Sequence, residues 1–117
     1  MSENSEMKGN EMATKKTTTK TKSKQPVVVL DKHRGIYFGY LAATLEGGNA
    51  VRLEGARHCY YYKLAEANEG TYGLATAGPQ KGSKIGPRVT MTVRDVAKVI
   101  DCSAASVERW EVSTWGG

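Results

Sequence analysis

Residues 1–26 contain no valine, isoleucine, leucine or aromatic residue. Such a stretch has too little apolar surface to offset the entropy of ordering it, so a disordered tail is expected there. No apolar segment follows its first charges, which argues against a secretion signal. Nowhere does the chain approach the roughly 18 consecutive apolar residues of a membrane-spanning helix. Cysteine is scarce: there are two, Cys59 and Cys102. They form no CxxC pair, and His58 beside Cys59 falls on the opposite face of a strand, so no metal site is expected. A disulfide is not expected either, and both thiols read as small, largely buried apolar groups. Gly-x-Ser-x-Gly, His-Glu-x-x-His, the P-loop pattern and Asp-rich clusters are all missing. The expectation is a protein without catalytic residues, metal or cofactor.

Charge is present, and it is unevenly spread. The net +5 of the 117-residue chain divides into +3 for residues 1–26, six lysines against three glutamates, and +2 for residues 27–117. The basic tail therefore reads as a solubilising segment, or as an arm that touches nucleic acid phosphates without sequence preference. Residues 27–117 form a single small domain.

That domain reads as mainly β within the α+β class. It is expected to be a small antiparallel sheet or partly open barrel of about five or six strands, with a short C-terminal helix. Pro26–Asp31 is β-branched, and Asp31–Gly35 is a turn. Ile36–Ala43 is a strand whose Gly39 marks a bulge or a close approach of another backbone. Glu46–Asn49 turns into a strand over 50–53. Glu54-Gly55 is expected to turn again, into a strand over 56–62. Residues 78–88 hold three glycines, two prolines and three cations, and read as a flexible loop or a phosphate cradle. In Arg88–Arg94, Val89, Met91 and Val93 alternate with polar residues, the period of a half-buried strand. A last strand follows a reversal near Asp95. Ser103 is placed to cap a helix over 104–110, with Val107 and Trp110 sharing its packed face. Trp115 is expected to pin the C-terminus.

The candidate binding residues centre on Val51–Tyr62, which holds half of the six tyrosines and one of the two histidines. Alternation assigns Arg57, Cys59 and Tyr61 to one face, with Cys59 and Tyr61 inward. His58, Tyr60 and Tyr62 then form an exposed row. Tyrosine rings stack on bases, and guanidinium or imidazole groups bind phosphate. Arg52, Arg57, His58, Tyr60 and Tyr62, with Lys81, Lys84 and Arg88 of the loop, make up the expected ligand-binding set.

The order Gly35-Ile36-Tyr37-Phe38-Gly39-Tyr40-Leu41, Val51-Arg52-Leu53, then Ala56-Arg57-His58 with a Tyr-Tyr pair, resembles a family of short, functionally uncharacterised bacteriophage and prophage proteins. Leu74–Gly78, Val99–Cys102 and Trp115 match further features of that pattern, although Tyr stands where many members have Trp. The resemblance implies a phage accessory protein acting in the cytoplasm of a bacterial host. With the surface chemistry it leads to a first expectation: non-catalytic binding of a small anionic, nucleotide-like ligand by a homo-oligomer, as a sponge for a host immune signal. Single-stranded nucleic-acid binding and a protein-interaction module that inhibits a host enzyme are the alternatives. No membrane partner is expected.

Overall fold

The computed structural model describes residues 24–116. The disorder expected of the tail concerns mostly residues 1–23, which lie outside the described residues. Gln25 and Pro26 already belong to the first strand, so the domain begins slightly earlier than its composition implied.

The fold is mainly β. Strands β1 (Gln25–Asp31), β2 (Ile36–Leu45) and β3 (Ala50–Tyr61) form an antiparallel meander. A 3-10 turn (Ala67–Tyr72) and a single-turn helix α1 (Gly73–Thr76) follow. Then come β4 (Lys84–Ile85), β5 (Val89–Arg94), β6 (Val96–Asp101) and helix α2 (Ala104–Val112). The sheet runs β4-β3-β2-β1-β6, with β5 also paired to β3. β4 takes the end of β3 at Cys59 and Tyr61, and β5 takes the stretch Ala50–Ala56. β5 and β6 thus lie at opposite edges of the sheet, yet Asp95 alone separates them in sequence. A sheet can satisfy both only by curling until its edges meet at that corner. Asp95 takes φ 55° there, and its carbonyl accepts from Lys32 N at 2.8 Å.

Curling buries one sheet face inside itself, while the helices cover the other. Val27, Val29, Val51, Leu53, Ala56 and Val93 fill the inside of the curl. Val28, Phe38, Cys59 and Ile85 pack with Leu74, Ala75 and Trp110 on the helical side. This explains the unbroken Val27-Val28-Val29: all three are fully buried, on alternate faces of a strand with no solvent side. Ser103 caps α2, accepting from Ser106 N at 3.1 Å, and Trp110 is fully buried, as the helix pattern required.

Glu54-Gly55 is not a turn. β3 is one continuous strand, and its pairing to β5 slips between Leu53 and Ala56. Gly55 takes φ 57°, so the pair is a bulge. The extra residue keeps Val51, Leu53, Ala56, His58 and Tyr60 on one face and puts Arg57 and Cys59 on the other. Gly39 lies opposite this bulge. A Cβ there would stand 3.0 Å from Leu53 Cβ and 3.2 Å from Ala56 Cα, the close backbone approach its position implied.

The loop at 78–88 is packed rather than flexible. Pro79, Ser83 and Ile85 are buried, and Ser83 Oγ accepts from Lys63 N at 2.8 Å. Its amides are spent on protein carbonyls: Gln80 N on Lys63 O, Gly86 N on His58 O, Ile85 N on Thr114 O. They do not converge into an anion cradle. The loop's glycines serve contact instead, Gly78 against Arg109 and Gly86 against the Tyr60 ring.

Candidate functional site

β2 and β3 continue past the closed part of the curl, and there the inner face of the sheet runs out into solvent. The register sets Tyr37 opposite His58, and their rings stack with centroids 4.8 Å apart. His58 meets Tyr60, two residues along the same face, at 4.2 Å. Tyr60 meets Trp115 at 5.0 Å. Trp115 is held there by a backbone bridge to Lys84, whose ammonium stands 5.3 Å from the indole centroid. Four rings from β2, β3 and the C-terminal segment thus form one continuous row with a cation at its far end. Tyr60 and Trp115 are 56% and 59% exposed, so the row is open to a ligand along much of its length.

At its inner end the row is fixed by Asp31. Its Oδ1 accepts from the Gly35 and His33 amides at 2.7 and 2.8 Å, and its Oδ2 accepts from Tyr37 Oη at 3.3 Å. Burial pushes the Asp31 carboxyl up, but these hydrogen bonds outweigh it and hold the group below its usual value. Burial and the neighbouring Asp31 charge both push the Tyr37 hydroxyl up, so it stays a neutral donor.

Of the expected binding residues, His58, Tyr60 and Lys84 come together in this row. The others scatter. Arg57 is buried on the helical face, donating from Nε to Gly86 O at 2.8 Å and from Nη1 to Trp110 O at 2.7 Å. Desolvation lowers its pKa from the usual guanidinium value. This arginine holds structure together and presents nothing to a ligand. Arg88 grips Glu111, from Nε at 2.9 Å and Nη2 at 2.7 Å, and reaches the Glu111 carbonyl as well. Arg52 bonds Thr92 Oγ1 at 3.0 Å, six residues along β3 from His58, or roughly 20 Å at strand rise. Lys81 is exposed in the packed loop, away from the row's contacts. The facing of Tyr61 and Tyr62 is the reverse of that expected. The β3–β4 register slips between Cys59 and Tyr61, so Tyr61 is 49% exposed while Tyr62 packs against the helical-side core.

Tyr37 and Trp115 are members of the row that strand alternation at Arg57–Tyr62 did not reveal. Tyr37 needed the β2–β3 register, and Trp115 needed the bridge to β4. Neither is a local property of the sequence.

A family model described as a domain of unknown function, DUF6948, matches residues 24–110. The chain belongs to the DUF6948 family. No curated protein and no solved structure matches it. The matched span runs from β1 to Trp110 of α2, so it takes in Tyr37, His58, Tyr60 and Lys84 and stops short of Trp115. The outermost ring is supplied by residues beyond the matched segment. Among the described residues, no three His, Cys, Asp or Glu side chains are grouped to hold a metal ion, and no helix is long and apolar enough to cross a membrane.

Proposed function

We propose that this DUF6948 protein is a non-catalytic binder of single-stranded nucleic acid, with Tyr37, His58, Tyr60 and Trp115 as its base-stacking row. The observation that carries the reading is the continuity of that row across three chain segments, ending at Lys84. An aromatic side chain that stacks on a base contributes about 1–3 kcal/mol without demanding a particular sequence. Phosphates that follow the row meet Lys84, and the six lysines of residues 1–26 add a basic segment on the same chain. Fluorescence anisotropy with labelled oligonucleotides tests this. Affinity should rise with length, fall steeply with salt, and drop about tenfold or more in Tyr60→Ala and Trp115→Ala. Binding that is indifferent to both substitutions overturns it.

A small anionic, nucleotide-like ligand is the second reading, and with it the role of a phage sponge for a host immune signal in the bacterial cytoplasm. Its support is the resemblance to phage and prophage proteins, together with the same ring chemistry. Calorimetry with cyclic and ADP-ribose-type nucleotides separates the two readings: a sponge saturates with one small molecule and ignores oligonucleotide length. Homo-oligomerisation belongs to the same proposal. Among the described residues β6 pairs with β1 alone, so beyond the corner at Asp95 its outer edge is left for a second chain, and Val99 on it is 42% exposed. Light scattering on the full chain reads the state directly.

A further inference from the structure

The sheet's opposite, helix-bearing face carries a separate cleft of about 500 Å³, within the range of small-molecule sites. It opens at the Asp31–Ile36 end of the β1–β2 hairpin. Leu30, Ile36 and the Tyr62 ring give it apolar walls, and Thr71 of the 3-10 turn adds a hydroxyl. Two cations line it, Arg34 and Lys98. Lys98 reaches this face because β6 pairs Lys98 with Leu30. Its ammonium is steadied by Tyr72 Oη at 2.8 Å.

The one carboxylate in the lining is Asp31, and its oxygens are occupied by the His33 and Gly35 amides and the Tyr37 hydroxyl. It stays an ionised carboxylate, and against it the two cations leave the lining with a net charge of +1. Arg34 has φ 71°, a left-handed conformation in which a glycine would be unstrained. A side chain carried at a backbone cost of about 1 kcal/mol is a feature to explain, and a guanidinium at the mouth of an apolar cleft supplies the explanation.

We infer that this cleft is a second binding site, for a small molecule that joins an apolar ring to a phosphate, of mononucleotide size. The ring lies among Leu30, Ile36 and Tyr62, and the phosphate meets the planar fork of Arg34 and the ammonium of Lys98. The cleft takes in none of the row's four rings, although Asp31, which holds the Tyr37 hydroxyl, also lines it.

Titration calorimetry of the full chain with adenosine 5′-monophosphate, inorganic phosphate and adenosine tests the site. The monophosphate should saturate one site per chain and bind more tightly than either part. Arg34→Gly and Lys98→Ala should each weaken it about tenfold or more, whereas Trp115→Ala should leave it unchanged. Arg34→Gly relieves the backbone, so a folding defect cannot account for its loss. No saturable heat with the monophosphate overturns the inference. So does binding that is lost in Trp115→Ala and retained in Arg34→Gly, since that assigns the ligand to the aromatic row.

Discussion

Arg57 of β3 donates from Nη1 to the carbonyl oxygen of Trp110, 53 residues later in the chain, at 2.7 Å. That carbonyl belongs to the last turn of α2, where helical partners run out. Arg88 takes the next carbonyl, that of Glu111. Two guanidinium groups therefore close the negative end of the helix, one from inside and one from the surface.

Removing the inner group should unfold rather than unbind. Arg57→Ala strands the carbonyls of Gly86 and Trp110 in the interior, at a cost on the order of 3 kcal/mol. Arg57→Lys keeps the charge but lacks the fork that spans both acceptors, and should cost roughly 1–2 kcal/mol. Urea denaturation measures both. A variant as stable as the parent, yet impaired in binding, would return Arg57 to the ligand set.

Glu111 makes stability depend on acid. Burial raises its carboxyl pKa, but the Tyr40 hydroxyl at 2.5 Å and the Arg88 guanidinium outweigh that and hold it below the usual carboxylate value. A carboxylate with a lowered pKa in the fold contributes stability above its unfolded value, and loses it as pH falls through the folded one. Tyr40 works at the other extreme. Burial first, then the bond to Glu111, pushes its hydroxyl from 10.0 up to about 12. Its contribution is complete below pH 10 and disappears as pH climbs toward about 12. Phenolate absorbance should show a late-titrating component from Tyr40 and Tyr37, and Tyr40→Phe should remove its own share of it. Glu111→Gln should flatten the acid limb of the stability curve.

Gly39→Ala should destabilise by about 1–3 kcal/mol, because the new methyl meets Leu53 Cβ and the Ala56 backbone at the bulge, where neither can retreat. Gly55→Ala tests the other half of the contact. Its methyl has room, 3.5 Å from the Tyr40 ring, but its φ of 57° costs about 1–2 kcal/mol for a residue with a Cβ. Thermal melts of the two single variants and the double variant read both terms and their coupling.

These two glycines also show how far the sequence was readable. Gly39 sits mid-strand, where a glycine means a bulge or a close approach, and Leu53 and Ala56 make that approach. Glu54-Gly55 carried the same chemical signal as a hairpin turn, since both a turn and a bulge want a glycine at positive φ. Only the partners β2 and β5, continuous past the pair, decide for the bulge. That one residue fixes which face His58 and Tyr60 share. The loop at 78–88 differs from its composition for a related reason: composition reports the freedom of glycine, not whether a neighbour such as Arg109 has filled the space. Arg57 and Arg88 read as anion ligands because no local pattern shows that the end of a distant helix lies against them.

Both thiols should be inert in the native protein. Burial pushes Cys59 up to about 12 and Cys102 up to about 11, so almost no thiolate forms near neutral pH. A colorimetric thiol reagent at pH 8 should react slowly with the folded chain and with two equivalents after denaturation. Rapid native reaction of one thiol would place Cys102, the half-buried one, nearer to solvent than its packing shows.

The two tryptophans give the aromatic row its own reporter. Trp110 is fully buried, stacked on Phe38 at 5.2 Å, with its indole N–H donated to Leu74 O at 2.9 Å. Trp115 is exposed at the end of the row, beside Tyr60. Iodide should therefore quench only part of the native fluorescence, and Trp115→Phe should remove that part. An oligonucleotide stacked on the row should change the same component and shield it from iodide. If oligonucleotide alters the emission of the Trp115→Phe protein as strongly as that of the parent, the bases are not on the row. The contact must then be sought on a surface that reaches Trp110 through α2.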